Sequence, residues 1–417
     1  MTEYEAIDER YYRLHVPRHE FSDYPPEALA FPLPDDVRGI AKKRPGRRYM
    51  FRPGQVIFRA AEVDDELERL LTSRDIFPYT EEPPQGDDES AQRERARVND
   101  AQRALEQAGL VTFRMSNLTP ERTRDDVPSL VQELRTPRQG RGRTGKTWDA
   151  WPNLVLAAEQ DAEYGPFGPP TSPPIDVTVG PPTTGPGHGI FVAVIDTGLR
   201  PDHLMLAGNS HTGSASDLEV TDEDGDGVRD FVAGHGTFVA GIIRQLAPGA
   251  EILGLGTVRS NGTVSDAEIA GAINKLSNVA RIDILNLSLG GYAHGGNATG
   301  LPCTTIALAA LRVKHPNVEV VAAAGNNGKA EPFFPAALPD VKGVGALDVD
   351  GKKAKFSNKG PWVKAWELGV GLTSSYVGPS LTQPGGGPTH LGATVTWQGT
   401  SFAAARVTGT LAASMAP

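Results

Sequence analysis

The rhythm of apolar and polar positions changes twice along this chain. Residues 1–47 mix proline with charge and read as an irregular arm. From residue 48 to about 160, short alternating stretches are interleaved with helical ones. Gln55 to Ala60 alternates with the period of a strand, and Val63 to Leu71 then sets apolar residues at helical spacing. Residues 81–100 are acidic and polar and read as a loop. Val98 to Leu110 reads as a second helix, Leu110 to Met115 as a strand, Val127 to Leu134 as a helix and Leu154 to Ala158 as a last strand. Such interleaving predicts a small α+β domain over 48–160.

Residues 161–188 are dense in proline and glycine (GPFGPPTSPP, then GPPTTGPGHG), which predicts a partly extended surface linker and a natural place for a proteolytic cut. Beyond it, over 189–417, short apolar runs alternate with helices. Ile190 to Ile195, Ile252 to Leu255, Ile282 to Leu289 and Val318 to Ala324 read as strands. His235 to Leu246, a segment from Asp266, Thr304 to Lys314 and a segment from about Ser401 read as helices. Ser265, followed three residues later by Glu268, forms a capping box ahead of the second of these helices. Apolar strands with intervening helices predict an α/β fold, a mostly parallel sheet covered on both faces.

Charge and cysteine content narrow the function classes. A net charge of −10 gives no basic face for phosphate contacts, so a nucleic-acid partner is not expected. The single cysteine, Cys303, excludes an intrachain disulfide. Met1 to Pro25 is polar and acidic, and no run approaches the ~20 apolar residues of a membrane span. These features predict an intracellular protein with no membrane partner, export without an N-terminal signal being the alternative.

Four short segments in the second region carry candidate chemistry. Asp196 ends the apolar run Phe191-Val-Ala-Val-Ile195, where parallel sheets place functional groups. His235 sits between two glycines at a predicted helix start, and these should let the backbone approach closely while keeping the imidazole uncovered. Asn326 ends the run through Ala324 and Gly325, and Ser401 opens the last helix, whose free N–H groups suit a developing oxyanion. Singly, each has a plainer role: turn formers for Asp196 and Asn326, an N-cap for Ser401.

Together these segments resemble the subtilisin-like serine proteases. Asp-Thr-Gly at 196–198, Gly-His-Gly-Thr at 234–237, Ala-Ala-Gly-Asn at 323–326 and Gly-Thr-Ser at 399–401 follow that family's order, and Asn286-Leu-Ser-Leu-Gly-Gly291 looks like its substrate-binding strand. The resemblance covers about residues 188–417. It implies a serine endopeptidase with Ser401 as nucleophile, His235 as general base and Asp196 as orienting carboxylate. It further implies Asn326 and the Ser401 N–H in the oxyanion hole, a peptide or protein substrate lying along Ser288, Leu289 and Gly290, and Ala324 and Gly325 as further substrate-binding residues. No cofactor is required. Residues 48–160 are compatible with an N-terminal pro-domain, with the segment from Glu159 to Gly189 passing near the site.

Ala405 stands where family members usually carry proline, and the chain ends soon after the last helix. These departures motivate a second reading, an inactive subtilisin-like fold that binds peptide or protein. A third, an acid peptidase with glutamate in place of histidine, is opposed by Gly-His-Gly-Thr. The small residues at 288–291 and 323–325 suggest an apolar or broad preference before the cut. Asp222, Asp224 and Asp226 resemble half of a calcium loop, although Ala233 replaces its last ligand. Gly140 to Thr147 fits the phosphate-loop pattern but lacks a preceding buried strand and reads as a basic loop.

Overall fold

The computed structural model describes residues 30–32, 48–86, 88–116, 126–136, 139–140, 143–144, 146–157, 170–171, 183–223, 227, 229–230, 232–260, 262–292, 301–378 and 391–415. An antiparallel sheet dominates the first region. It contains β1 (Ala30–Pro32), β2 (Arg48–Arg59), β3 (Ile76–Tyr79), β4 (Leu110–Met115) and β7 (Ala150–Ala157), in the order β7-β2-β4-β3 with β1 also beside β2. A short pair, β5 (Gln139–Gly140) with β6 (Arg143–Thr144), stands apart. Thus Ala30–Pro32, within the stretch read as an arm, pairs with the start of β2.

Three helices accompany this sheet: α1 (Asp65–Thr72), α2 (Glu89–Gln107) and α3 (Asp126–Arg135). Aspartates cap the first two, Asp64 accepting from the Leu67 N–H at 2.9 Å and Asp88 from the Ala91 N–H at 2.8 Å. The Asp88 cap corrects the reading of 81–100 as a loop. From Glu89 onward the acidic and basic residues are good helix formers, and the helix begins nine residues before the apolar spacing becomes visible at Val98.

The second region is built on seven strands: β8 (Phe191–Asp196), β9 (Ser210–Thr212), β10 (Glu251–Gly256), β12 (Ile284–Leu287), β13 (Glu319–Ala323), β14 (Lys342–Leu347) and β15 (Ala365–Leu368). Their order is β15-β14-β13-β12-β8-β10-β9, and every pairing is parallel. Successive residues of a strand feed opposite cores. Val192 and Val194 pack with Phe238, Ile242 and Phe402 under α4 (His235–Leu246) and α7 (Thr400–Met415). Ala193 and Ile195 pack with Ile269, Ile273 and Leu308 under α5 (Asp266–Leu276) and α6 (Pro302–Lys314). With both faces covered, the strands need no polar alternation, which is why they read as continuous apolar runs. The capping box of α5 forms with both its bonds. A further pair, β16 (Leu372–Ser375) with β17 (Thr394–Trp397), lies beside α4.

The two regions are stitched together. Strand β11 (Thr263–Ser265) pairs antiparallel with β7, Thr263 opposite Ala157 and Ser265 opposite Val155, so it belongs to the first sheet. Helix α2 packs on α5, and the core on that face continues into the first region. Charges of alternating sign line the seam: Arg97 reaches Glu223 at 2.5 Å, while Arg259 bridges Glu94 at 2.5 Å and Glu268 at 2.8 Å. Burial pushes these carboxyls upward, yet the guanidinium beside each prevails: Arg97 holds Glu223, and Arg259 holds Glu94, below the usual carboxylate range. Among the described residues no helix is long and apolar enough to cross a membrane.

Candidate active site

Asp196 is the last residue of β8, and His235 opens α4, which packs on the face of the same sheet. His235 Nδ1 lies 2.7 Å from Asp196 Oδ1, which also accepts from the Thr197 N–H at 2.8 Å. Both glycines around His235 are needed for this approach. Gly234 has φ +84°, and a β-carbon on it would meet the Tyr376 ring at 2.5 Å; one on Gly236 would come within 2.2 Å of the Gly198 carbonyl. The imidazole is nevertheless not uncovered as expected: it has 0% exposure, with Trp397 edge-on at 5.7 Å and Phe402 at 5.2 Å. The glycines bring other groups in rather than leaving space.

A carboxylate that no motif marks stands behind this pair. Gly234 occupies the N-cap of α4 and has no side chain to offer, so the first N–H groups of the helix find partners elsewhere. Glu219 accepts from the Gly234 N–H at 3.0 Å, the Thr237 N–H at 3.2 Å and the Thr237 hydroxyl at 2.9 Å. The Gly236 N–H donates to Thr197 Oγ1 at 2.9 Å. Burial, with the Asp196 charge adding to it, pushes the Glu219 carboxyl up to about 7.

Ser401 lies in the first turn of α7 and is fully buried. Its hydroxyl donates to the Ser288 carbonyl at 3.0 Å, and the Ser288 hydroxyl donates to the Ser401 carbonyl at 2.9 Å. The single hydroxyl proton is therefore directed at Ser288 rather than at His235 in this state. Phe402, its neighbour in sequence, packs on the imidazole and so ties this end of α7 to His235. Asn326, 6% exposed, is oriented by Thr400: Oδ1 accepts from the Thr400 N–H at 2.8 Å and from its hydroxyl at 2.7 Å. What Asn326 has left to offer is its amide, a donor. The same Thr400 oxygen accepts from the Gly325 N–H at 3.0 Å. The third and fourth motifs are thus one hydrogen-bonded unit.

The substrate-binding candidates lie on two neighbouring segments. Strands β12 and β13 run side by side, Leu287 opposite Ala322, and Ser288-Leu289-Gly290 and Ala324-Gly325 continue from their ends. Ala405, where family members usually carry proline, is fully buried in α7, which runs unbroken from Thr400 to Met415. In the proposed calcium loop, Asp222 accepts from the Gly227 N–H at 3.0 Å, while Asp224 and Asp226 lie outside the described residues. The phosphate-loop look-alike contains the β5–β6 pair instead of a strand leading into a helix, and Lys146 is engaged by Asp64.

Comparison with known proteins points one way. The subtilase family model matches residues 187–416. A thermophilic serine proteinase of Bacillus sp. (strain AK1) is 34% identical over 229 residues, 52% of this chain and 52% of its own length. A thermostable alkaline protease of Halalkalibacterium halodurans is 32% identical over 203 residues, 46% of this chain and 51% of its own. Subtilisin Savinase of Lederbergia lenta is 31% identical over 211 residues, 48% of this chain and 71% of its own. The match thus spans about half the length of the first two relatives. All four motifs around Asp196, His235, Asn326 and Ser401 fall inside the matched residues, and the chain belongs to the subtilase family.

Proposed function

We propose that this chain is a serine endopeptidase working through an acyl-enzyme on Ser401. The observation that carries the reading is the buried Asp196–His235 contact at 2.7 Å, beside a helix start that bears both Ser401 and the Thr400 lock on Asn326. In the cycle, Ser401 Oγ attacks the substrate carbonyl carbon and His235 Nε2 takes the hydroxyl proton. Asp196 keeps the other ring nitrogen protonated and steadies the imidazolium. The carbonyl oxygen, now an oxyanion, receives the Asn326 amide and the Ser401 N–H at the positive end of α7. His235 then passes the proton to the leaving amine, and water repeats the sequence to release the acid.

In the state described, Ser401 and His235 are fully buried, and β7 occupies the strand partner of β11. This supports a latent form in which residues 48–160 act as a pro-domain and a cut in the 161–188 linker activates the enzyme. The test is labelling by a fluorophosphonate probe, before and after a cut engineered near Pro173, with Ser401→Ala as control. Labelling of the wild type that rises after the cut is expected. A chain that stays unlabelled in both forms would instead be a subtilisin-like binding module.

A further inference from the structure

Past their last paired residues, β12 and β13 separate into a fork whose arms are Ser288-Leu289-Gly290 and Ala324-Gly325-Asn326. Ser401 contacts the first arm through the Ser288 carbonyl, and Asn326 ends the second, so a reacting carbonyl sits between the arms. The side chain of the residue that supplies this carbonyl then points into the fork. Side-chain specificity in serine proteases is set by the depth of such a slot, a shallow one accepting only small residues.

The fork is filled. A β-carbon on Gly290 would fall 2.3 Å from Phe333 Cε1, and one on Gly325 would fall 2.9 Å from Phe333 Cδ2 and Cγ. One aromatic ring therefore touches both arms, with opposite edges against the two glycines. The ring is 3% exposed and is held from behind. Tyr292 meets it edge-on at 5.2 Å, and Phe334 exchanges two backbone hydrogen bonds of 2.8 Å with Gly291. The Tyr292 hydroxyl donates to Asn327 at 3.1 Å and accepts from the Asn358 amide at 3.1 Å, and that same amide nitrogen donates to the Ala324 carbonyl at 2.9 Å. Swinging Phe333 aside would disturb both arms of the fork at once.

We infer that Phe333 closes the specificity slot and restricts the residue before the cleaved bond to glycine, alanine or serine. This rests on the endopeptidase reading above and replaces the apolar or broad preference expected from the small residues of the two arms. Those glycines do not leave room for a substrate side chain; they leave room for Phe333.

The test compares kcat/KM for peptides differing only at that residue, alanine against leucine and phenylalanine, on the linker-cut enzyme. The wild type should favour alanine by roughly 10²-fold or more, since one misfitting methylene already costs roughly 10–200-fold. Phe333→Leu and Phe333→Ala should progressively raise the ratio of kcat/KM after phenylalanine to kcat/KM after alanine, the ratio being read within each variant so that any general loss of activity cancels. The leucine variant keeps most of the packing if the alanine variant fails to fold. Binding is read separately in the Ser401→Ala chain, with peptides ending in alanine or phenylalanine. Equal binding or cleavage of both by the wild type, or an unchanged ratio in a folded Phe333 variant, overturns the inference. A chain unlabelled by fluorophosphonate that still binds only the alanine-ended peptide keeps the slot and loses the endopeptidase.

Discussion

Thr400 saturates Asn326 Oδ1 with two hydrogen bonds, so the orientation of the amide is fixed before any substrate arrives. A donor positioned in advance requires no reorganisation when charge develops on the carbonyl oxygen. Asn326→Ala should therefore lower kcat by about 10²–10³ and leave KM within a few-fold, a magnitude carried over from subtilisin, a member of the same family. Steady-state kinetics on one peptide checks this, and a loss confined to KM would place Asn326 in ordinary binding. Asp196, His235, Asn326 and Ser401 were legible as candidates because each stands in a short motif with glycine or threonine beside it. Glu219 and Phe333 were not. Glu219 acts on Gly234 and Thr237 across a loop, and Phe333 acts on Gly290 and Gly325 across separate strands. Their neighbours in sequence are unrelated to their role, so no local pattern could mark them.

At the scale of elements, α4 is capped from outside. Gly234 is required by the close approach of Tyr376, and its lack of a side chain is made good by Glu219. This sets a pH dependence. The Glu219 carboxyl titrates near 4.5 when unfolded and about 7 when folded. The folded state thus holds the proton more tightly, and the associated stability is complete below about pH 4.5 and lost as pH rises through 7. Glu219→Gln cannot ionise and should flatten the stability curve across that window, read as thermal midpoints at closely spaced pH values. It should also slow catalysis above about pH 7, where the ionised carboxylate accepts from all three donors and the glutamine amide nitrogen cannot. Element boundaries were legible in proportion to such local signals. Helix α4 runs over the predicted His235 to Leu246, and α5 starts on its predicted box. Strand β3 escaped notice because Pro78 interrupts it; among the described residues it is an edge strand paired with β4 alone, where a missing N–H costs little. Helix α2 was seen only in its second half because its first turns are polar or charged apart from two alanines.

At the scale of the molecule, the first region and the subtilase region share one core and one seam of charge. Arg259 is 1% exposed and links Glu94 of α2 to Glu268 of α5. Removing one member of a buried pair leaves a charge without its partner, at a cost of roughly 3–5 kcal/mol. Arg259→Met should lower the unfolding free energy of the full chain by an amount up to that range, with Arg97, 3.3 Å from Glu94, and Arg52, 3.6 Å from Glu268, limiting the loss. A second change, Glu94→Gln, should restore part of it; denaturant titration of the two variants distinguishes this from a plain packing defect. The proline- and glycine-rich stretch marks an expected boundary between two regions in the sequence, but the seam was not legible there, since its charges are spread from residue 52 to residue 268. The pairing of β7 with β11 has a consequence for kinetics. On the pro-domain reading, a region tethered on the same chain stays docked through this pairing at an effective concentration in the millimolar range. Once the linker is cut, the same region becomes a separate molecule whose occupancy falls with dilution. The onset of activity after cutting should therefore depend on how dilute the sample is, early in a thin solution and delayed in a crowded one, with no change in any contact at the site.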